Sequence, residues 1–162
     1  MFRTAIITAS DKGYAGIRQD ESGALIEAML DEDYEVVCKV ILPDDRKVLA
    51  DEMRRLCVES VDLILTTGGT GFSERDVTPE ATRDVVERLA PGIGQAMMFH
   101  SLSITPRAML SRQIAGICGH TLIINLPGSP KAVKENLEYI LGPLKHGIEI
   151  LKGEAGECGK NI

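Results

Sequence analysis

The stretch Thr66-Thr67-Gly68-Gly69-Thr70-Gly71 sets three hydroxyls and three glycines side by side. Glycine lets a backbone turn tightly and approach a ligand, because no Cβ stands between them. The stretch follows Val61-Asp62-Leu63-Ile64-Leu65, which reads as a buried strand, and leads through Arg75-Asp76-Val77-Thr78-Pro79 into a helix. Exposed N–H groups just ahead of a helix make a seat for phosphate. A strand, a Gly/Thr loop, an acid and a helix, in that order, point to phosphoryl chemistry. Other chemistries fit less well. No Lys-Ser or Lys-Thr follows the glycines, so they are not a P-loop, and Gly-x-Gly-x-x-Gly is absent after the first strand. No Gly-x-Ser-x-Gly elbow is present either. Cys38, Cys57, Cys118 and Cys158 lack Cys-x-x-Cys spacing, and His100, His120 and His146 are scattered, so reduced thiols and no zinc site are expected.

The elements that must position this loop are legible from apolar patterning. Thr4–Thr8, Val36–Ile41, Leu63–Leu65 and Leu122–Leu126 read as strands, and the first, third and fourth are nearly continuous in apolar character. That is the look of parallel strands covered on both faces. Helices are expected at Ser22–Leu30, Val48–Cys57, Pro79–Leu89 and Lys131–Leu141. Thr78-Pro79 and Ser129-Pro130 each read as an N-cap followed by proline at the first helical position. Gly142-Pro143 should break or kink the last helix before Leu144–Leu151. The long segment 91–119 has two helical stretches around Ile104-Thr105-Pro106 and room for an added hairpin. The fold class predicted is α/β, a three-layer sandwich with a mostly parallel sheet and a small inserted segment. Ligands of such sheets bind at the carboxyl edge of the strands. Here that edge is supplied by Ser10-Asp11, Pro43-Asp44-Asp45, the Gly/Thr loop, and Asn125 to Pro130.

The chain has 162 residues, 44% hydrophobic and 26% charged, which suits one soluble domain with a full core. A formal net charge of -6 disfavours non-specific binding to nucleic acid. No long apolar run or charged leader is visible, so no membrane association is expected and the cytoplasm is the expected compartment. Residues 1–152 are read as one domain, and 153–162 as a flexible tail.

The motifs together resemble the molybdopterin adenylyltransferase family of molybdenum-cofactor biosynthesis. The resemblance is carried by Ser10-Asp11, Asp20 with Ser22-Gly23, Pro43-Asp44, the block from Thr66 to Thr82, Leu110-Ser111-Arg112 and Leu126-Pro127-Gly128-Ser129-Pro130. It implies attack of the molybdopterin terminal phosphate on the α-phosphate of Mg-ATP, giving adenylyl-molybdopterin and pyrophosphate. Mg²⁺ is then the cofactor and ATP the co-substrate. The family's essential acidic positions fall on Asp44 and Asp76, which suits metal or metal-water ligands, because a carboxylate without a cation would repel phosphate. Thr67, Gly68, Gly69, Thr70 and Gly71 would cradle the nucleotide phosphates, with Gly128 and Ser129 as a second anion seat. Ser10 and Asp11 would line the edge, and Ser111 and Arg112 would hold the pterin or its phosphate. The resemblance further implies a homotrimer and hand-off to a molybdate-insertion enzyme. Two other readings share the scaffold: a non-catalytic pterin-binding protein of the same pathway, and a nucleotide pyrophosphatase.

Overall fold

A computed structural model describes residues 1–154. Its centre is a six-stranded sheet in the order β2-β1-β3-β6-β5-β4. Strands β1 (Phe2–Ala9), β2 (Tyr34–Leu42), β3 (Leu63–Thr67) and β6 (Thr121–Leu126) run parallel. The nearly continuous apolar runs are explained by a core on each side of the sheet. Ile6, Leu63, Leu65, Leu122, Ile124 and Leu126 face one core, with helices α2 (Glu21–Met29), α5 (Pro91–Leu102) and α6 (Pro130–Lys152). Ala5, Ile7, Ile64 and Ile123 face the other, with α3 (Arg46–Val58) and α4 (Thr78–Arg83). Alternate residues of each strand thus enter different cores, as the two-residue period of a strand requires. A short helix α1 (Asp11–Tyr14) follows β1.

Four expectations need correction. The helix expected over Pro79–Leu89 stops at Arg83, and Arg88–Leu89 instead forms strand β4 at the sheet edge. There Glu87 donates to the Ile117 carbonyl (2.9 Å) and Ala90 to that of Ala115 (2.9 Å), a pairing with β5 (Ala115–Cys118) that no local window reveals. Thr78 is not the cap of α4. Val77 holds that position without a side-chain bond, while the Thr78 hydroxyl donates to the Gly68 carbonyl (2.9 Å). The break allowed for at Gly142-Pro143 does not occur, and helix α6 passes through Pro143 as one 23-residue helix. Pro143 is exposed, whereas Val133, Leu137, Ile140, Leu144 and Ile148 are buried on both sides of it, so packing outweighs the lost hydrogen bond. Finally, the sheet has two strands more than expected, β4 and β5, joined to it by antiparallel pairings in which β5 alone runs against the other strands. The middle segment holds no hairpin of its own among the described residues: it contributes β5, which turns back onto the expected fourth strand β6, and its two helical stretches are α5 and a 3₁₀ turn over Pro106–Leu110. Gly153 caps α6 in the left-handed region, and residues 155–162 of the expected tail lie outside the described residues.

Candidate functional site

The register brings four strand ends to one rim: Ala9 pairs with Leu42, Thr8 with Thr67, and Thr67 with Leu126. Each next residue therefore begins a loop at the same edge. Between the loops lies a cleft of about 690 Å³, lined by Ser10, Asp44, Thr67, Gly68, Gly69, Asp76, Gly128 and Ser129 among others.

Gly68 and Gly69 both have positive φ, 89° and 67°. A Cβ on Gly68 would stand 2.4 Å from the Ala9 carbonyl oxygen, and one on Gly69 would stand 2.2 Å from Thr78 Oγ1 and 3.4 Å from Asp44 Oδ1. Only glycine combines that backbone with that closeness. The loop is pinned from α4, by the Thr78 N–H on the Gly69 carbonyl (3.1 Å) and the Thr78 hydroxyl on the Gly68 carbonyl.

Asp44 and Asp76 reach this cradle from separate loops. Asp44 is held by reciprocal bonds with Asp11: the Asp11 N–H donates to Asp44 Oδ2 (2.9 Å) and the Asp44 N–H to Asp11 Oδ1 (3.0 Å). Asp76 Oδ2 accepts the Ser73 N–H (3.0 Å) and would lie 2.8 Å from a Cβ on Gly71. Burial pushes the Asp44 carboxyl above its usual range, and the Asp11 and Asp76 carboxylates add to that push, against the Asp11 N–H that lowers it. Four carboxylate residues line the cleft, Asp20, Glu21, Asp44 and Asp76, while Arg18 is the one Lys or Arg among its described lining residues. Asp20 is already engaged, accepting from the Thr8 hydroxyl (2.9 Å) and the Gly23 N–H (2.9 Å) as the cap of α2.

Other residues singled out from the sequence stand elsewhere or are already committed. The Asp11 carboxylate faces Arg75 (2.9 and 2.8 Å), whose guanidinium holds it below its usual range, so it supports Asp44 from behind rather than lining the cleft. The Thr67 hydroxyl donates to the Pro127 carbonyl (2.6 Å), so its proton is not free for a ligand. Thr70 is buried and Gly71 lies off the cleft wall. Arg112 grips the Gly71–Asp76 turn instead of facing the cleft. Ser111 lines a separate hollow of about 210 Å³, with Ser101, Thr105, Arg107, Gln113, Pro127 and Asn136 among its walls. Gln113 Oε1 is buried without a hydrogen-bond partner among the described residues. The hollows share one loop, because Pro127 lines the smaller while Gly128, Ser129 and Pro130 line the larger. The Ser129 Oγ accepts the Ala132 N–H (3.3 Å), which caps α6 and aims its N-terminus at the cleft. Ser10 likewise caps α1.

Sequence reasoning passed over Arg18, Gln113 and the loop-pinning role of Thr78. Nothing in local spacing marks an arginine in a turn as facing a cleft. Thr78-Pro79 carries a cap signature that hides a tertiary bond.

Comparison with known proteins shows the family. Residues 5–146 match the family described as a probable molybdopterin binding domain. Molybdopterin adenylyltransferase from Helicobacter pylori strain J99 is 39% identical over 167 residues, spanning 97% of this chain and 92% of that protein. The crystal structure of the molybdopterin biosynthesis enzyme MoaB from Thermus thermophilus superposes with a TM-score of 0.90 at 44% identity, over 94% of this chain and 98% of that one. The crystal structure of the tungsten cofactor synthesizing protein MoaB from Pyrococcus furiosus gives 0.85 at 34% identity, over 95% and 97%.

Proposed function

Because the chain belongs to the molybdopterin-binding domain family, we infer that it is a molybdopterin adenylyltransferase, a nucleotidyltransferase of molybdenum-cofactor biosynthesis. The observation that supports this most is the meeting of Asp44 and Asp76, from separate loops, with the Gly68–Gly69 cradle and the start of α6 in one cleft. In the reaction a phosphate oxygen of molybdopterin attacks the α-phosphorus of ATP. One P–O bond forms, the α–β bridge breaks, and pyrophosphate leaves. The nucleophile is already an anion near neutral pH, so no general base is needed. Positioning and electrostatics carry the rate.

The lining residues fit a divalent cation. A wall with four carboxylates and one arginine is a poor host for triphosphate alone. The raised Asp44 carboxyl marks a carboxylate that is better satisfied beside positive charge. Mg²⁺ commonly takes one or two protein carboxylates and completes its shell with phosphate and water. Asp44 and Asp76 would be those ligands. Bound with ATP, the ion would neutralise charge that builds on the departing pyrophosphate. The chain's own groups do the rest. Backbone at Gly68–Gly69 lets the phosphates come close, and the α6 N-terminus with Ser129 favours their negative charge. The hollow around Ser111 is the place for the pterin. There Gln113 Oε1 offers a buried acceptor to the ring's N–H edge, and the shared 127–130 loop lies between the two substrates.

The same reading takes the protein to be a cytoplasmic homotrimer that hands its product to a molybdate-insertion enzyme. Exposed Phe99, Ile104, Met109 and Leu110, on α5 and the following turns, offer apolar surface to such an assembly. No helix among the described residues is long and apolar enough to cross a membrane.

The test is to incubate the protein with molybdopterin, Mg²⁺ and ATP and to follow both products. Adenylylated pterin and pyrophosphate should appear together, and pyrophosphate only when molybdopterin is present. Pyrophosphate released from ATP without the pterin would instead mark a hydrolase, and no adenylylated product would mark a binding protein.

A further inference from the structure

We propose that Arg112 is a positioning residue that fixes the Asp76 carboxylate at the cleft without touching either substrate. Its guanidinium reaches both ends of the turn that carries Asp76. Nε donates to the Gly71 carbonyl (2.7 Å), and Nη2 to the Asp76 carbonyl (2.6 Å). Nη1 pairs with the Glu80 carboxylate on α4. Its backbone N–H also donates to the Thr70 carbonyl (2.8 Å). One side chain therefore spans the turn and ties it to the helix that follows.

One other side chain ties the turn to the rest of the site, the exposed Arg75 on the Asp11 carboxylate (2.9 and 2.8 Å). Within it, Asp76 N–H donates to the Ser73 carbonyl (2.9 Å) and Ser73 N–H to Asp76 Oδ2. Phe72 at its tip is 70% exposed, so apolar packing anchors that tip only weakly. Without Arg112 the segment from Gly71 to Asp76 would keep its internal bonds and the exposed Arg75–Asp11 pair, but would lose the bonds that hold its backbone at Gly71 and at Asp76 itself. The arrangement suits arginine specifically. A planar fork can serve two carbonyls and a carboxylate at once, whereas a lysine ammonium is a point donor on a flexible stem. Glu80 aligns the fork, much as outer partners orient metal ligands.

This inference rests on the assignment of Asp76 to a divalent cation, and the experiment separates the two. Mn²⁺ binding is measured by electron paramagnetic resonance in the presence of α,β-methylene ATP. The proteins compared are the parent, Asp76→Asn, Arg112→Gln, Arg112→Lys and Glu80→Gln, each with a thermal melt and a metal-free nucleotide titration. Arg112→Gln and Arg112→Lys should weaken Mn²⁺ binding by about tenfold or more, with Glu80→Gln following more weakly. Metal-free nucleotide affinity should stay near the parent value. If Arg112→Gln does not fold, Glu80→Gln carries the test, and a parent-like Mn²⁺ affinity in it overturns the proposal. Loss of Mn²⁺ in Asp76→Asn but not in folded Arg112 variants, even with a lowered melting temperature, also overturns it, leaving Arg112 a purely structural residue. Parent-like Mn²⁺ binding in Asp76→Asn would remove the metal assignment, and this proposal with it.

Discussion

Asp44, the proposed metal ligand, carries a charge that the fold alone satisfies poorly. Its carboxyl is partly removed from water and faces Asp11 and Asp76, so its folded-state pKa is raised. A raised carboxyl favours the fold while it is protonated, below its ordinary range, and that benefit is lost as pH rises through the folded value. Asp44→Asn should therefore melt higher than the parent at pH 7 without metal, with the gap closing in acid, while adenylyl transfer is abolished. Thermal melts across pH check this. A lower melting temperature for Asp44→Asn at pH 7 would mean that the carboxylate is already well satisfied. At this scale the sequence was legible wherever a residue type suffices. Asp44, Asp76, Gly68 and Gly69 came together as the motifs implied. It was not legible where a side chain has two possible partners. Asp11 turned to Arg75, Arg112 to the backbone of its neighbours, and Thr67 to Pro127, all long-range bonds that no spacing encodes.

Among the elements, the β3–α4 loop depends most on glycine. Gly69 has φ of 67° and would press a methyl against Thr78 Oγ1. Left-handed backbone alone costs an L-residue about 1–2 kcal/mol, and the Thr78 contact adds to it. Gly69→Ala should lower stability by at least that much in urea melts and weaken ATP binding more than a distant substitution of equal stability cost, as calorimetric titration would show. Nucleotide affinity equal to the parent's would detach the cradle from the phosphates. Strands β1, β3 and β6 were readable because burial on both faces writes itself as unbroken apolar runs. Strand β4 was not, since two residues at an edge are specified by their partner β5 rather than by their own pattern. Helix α6 misled for a related reason. Pro143 signals a stop locally, but the apolar stripe on either side of it keeps the helix seated on the sheet.

For the whole molecule, the three-layer α/β class followed from the alternation of strands and helices, and the convergence of loops at one rim followed from parallel strand direction. Assembly is written less clearly, because an exposed apolar residue has many explanations. Four of the exposed large apolar residues nonetheless fall within the stretch from α5 through the following 3₁₀ turn, Phe99, Ile104, Met109 and Leu110, with Phe99 74% exposed. Sedimentation equilibrium should give three times the 17.6 kDa chain mass, and Phe99→Glu with Met109→Glu should reduce it toward one. An unchanged mass in that double variant would place the interface on another face. The central claim concerns the cleft, where Asp44 and Asp76 are taken to share one cation with the nucleotide. A crystal grown with Mn²⁺ and α,β-methylene ATP tests it most directly. The expected result is an anomalous peak within coordination distance of both carboxylates, or of waters they hold, with the phosphates over Gly68 and Gly69. Nucleotide bound there with no metal beside Asp44 or Asp76, or bound away from the glycine loop, would contradict the account.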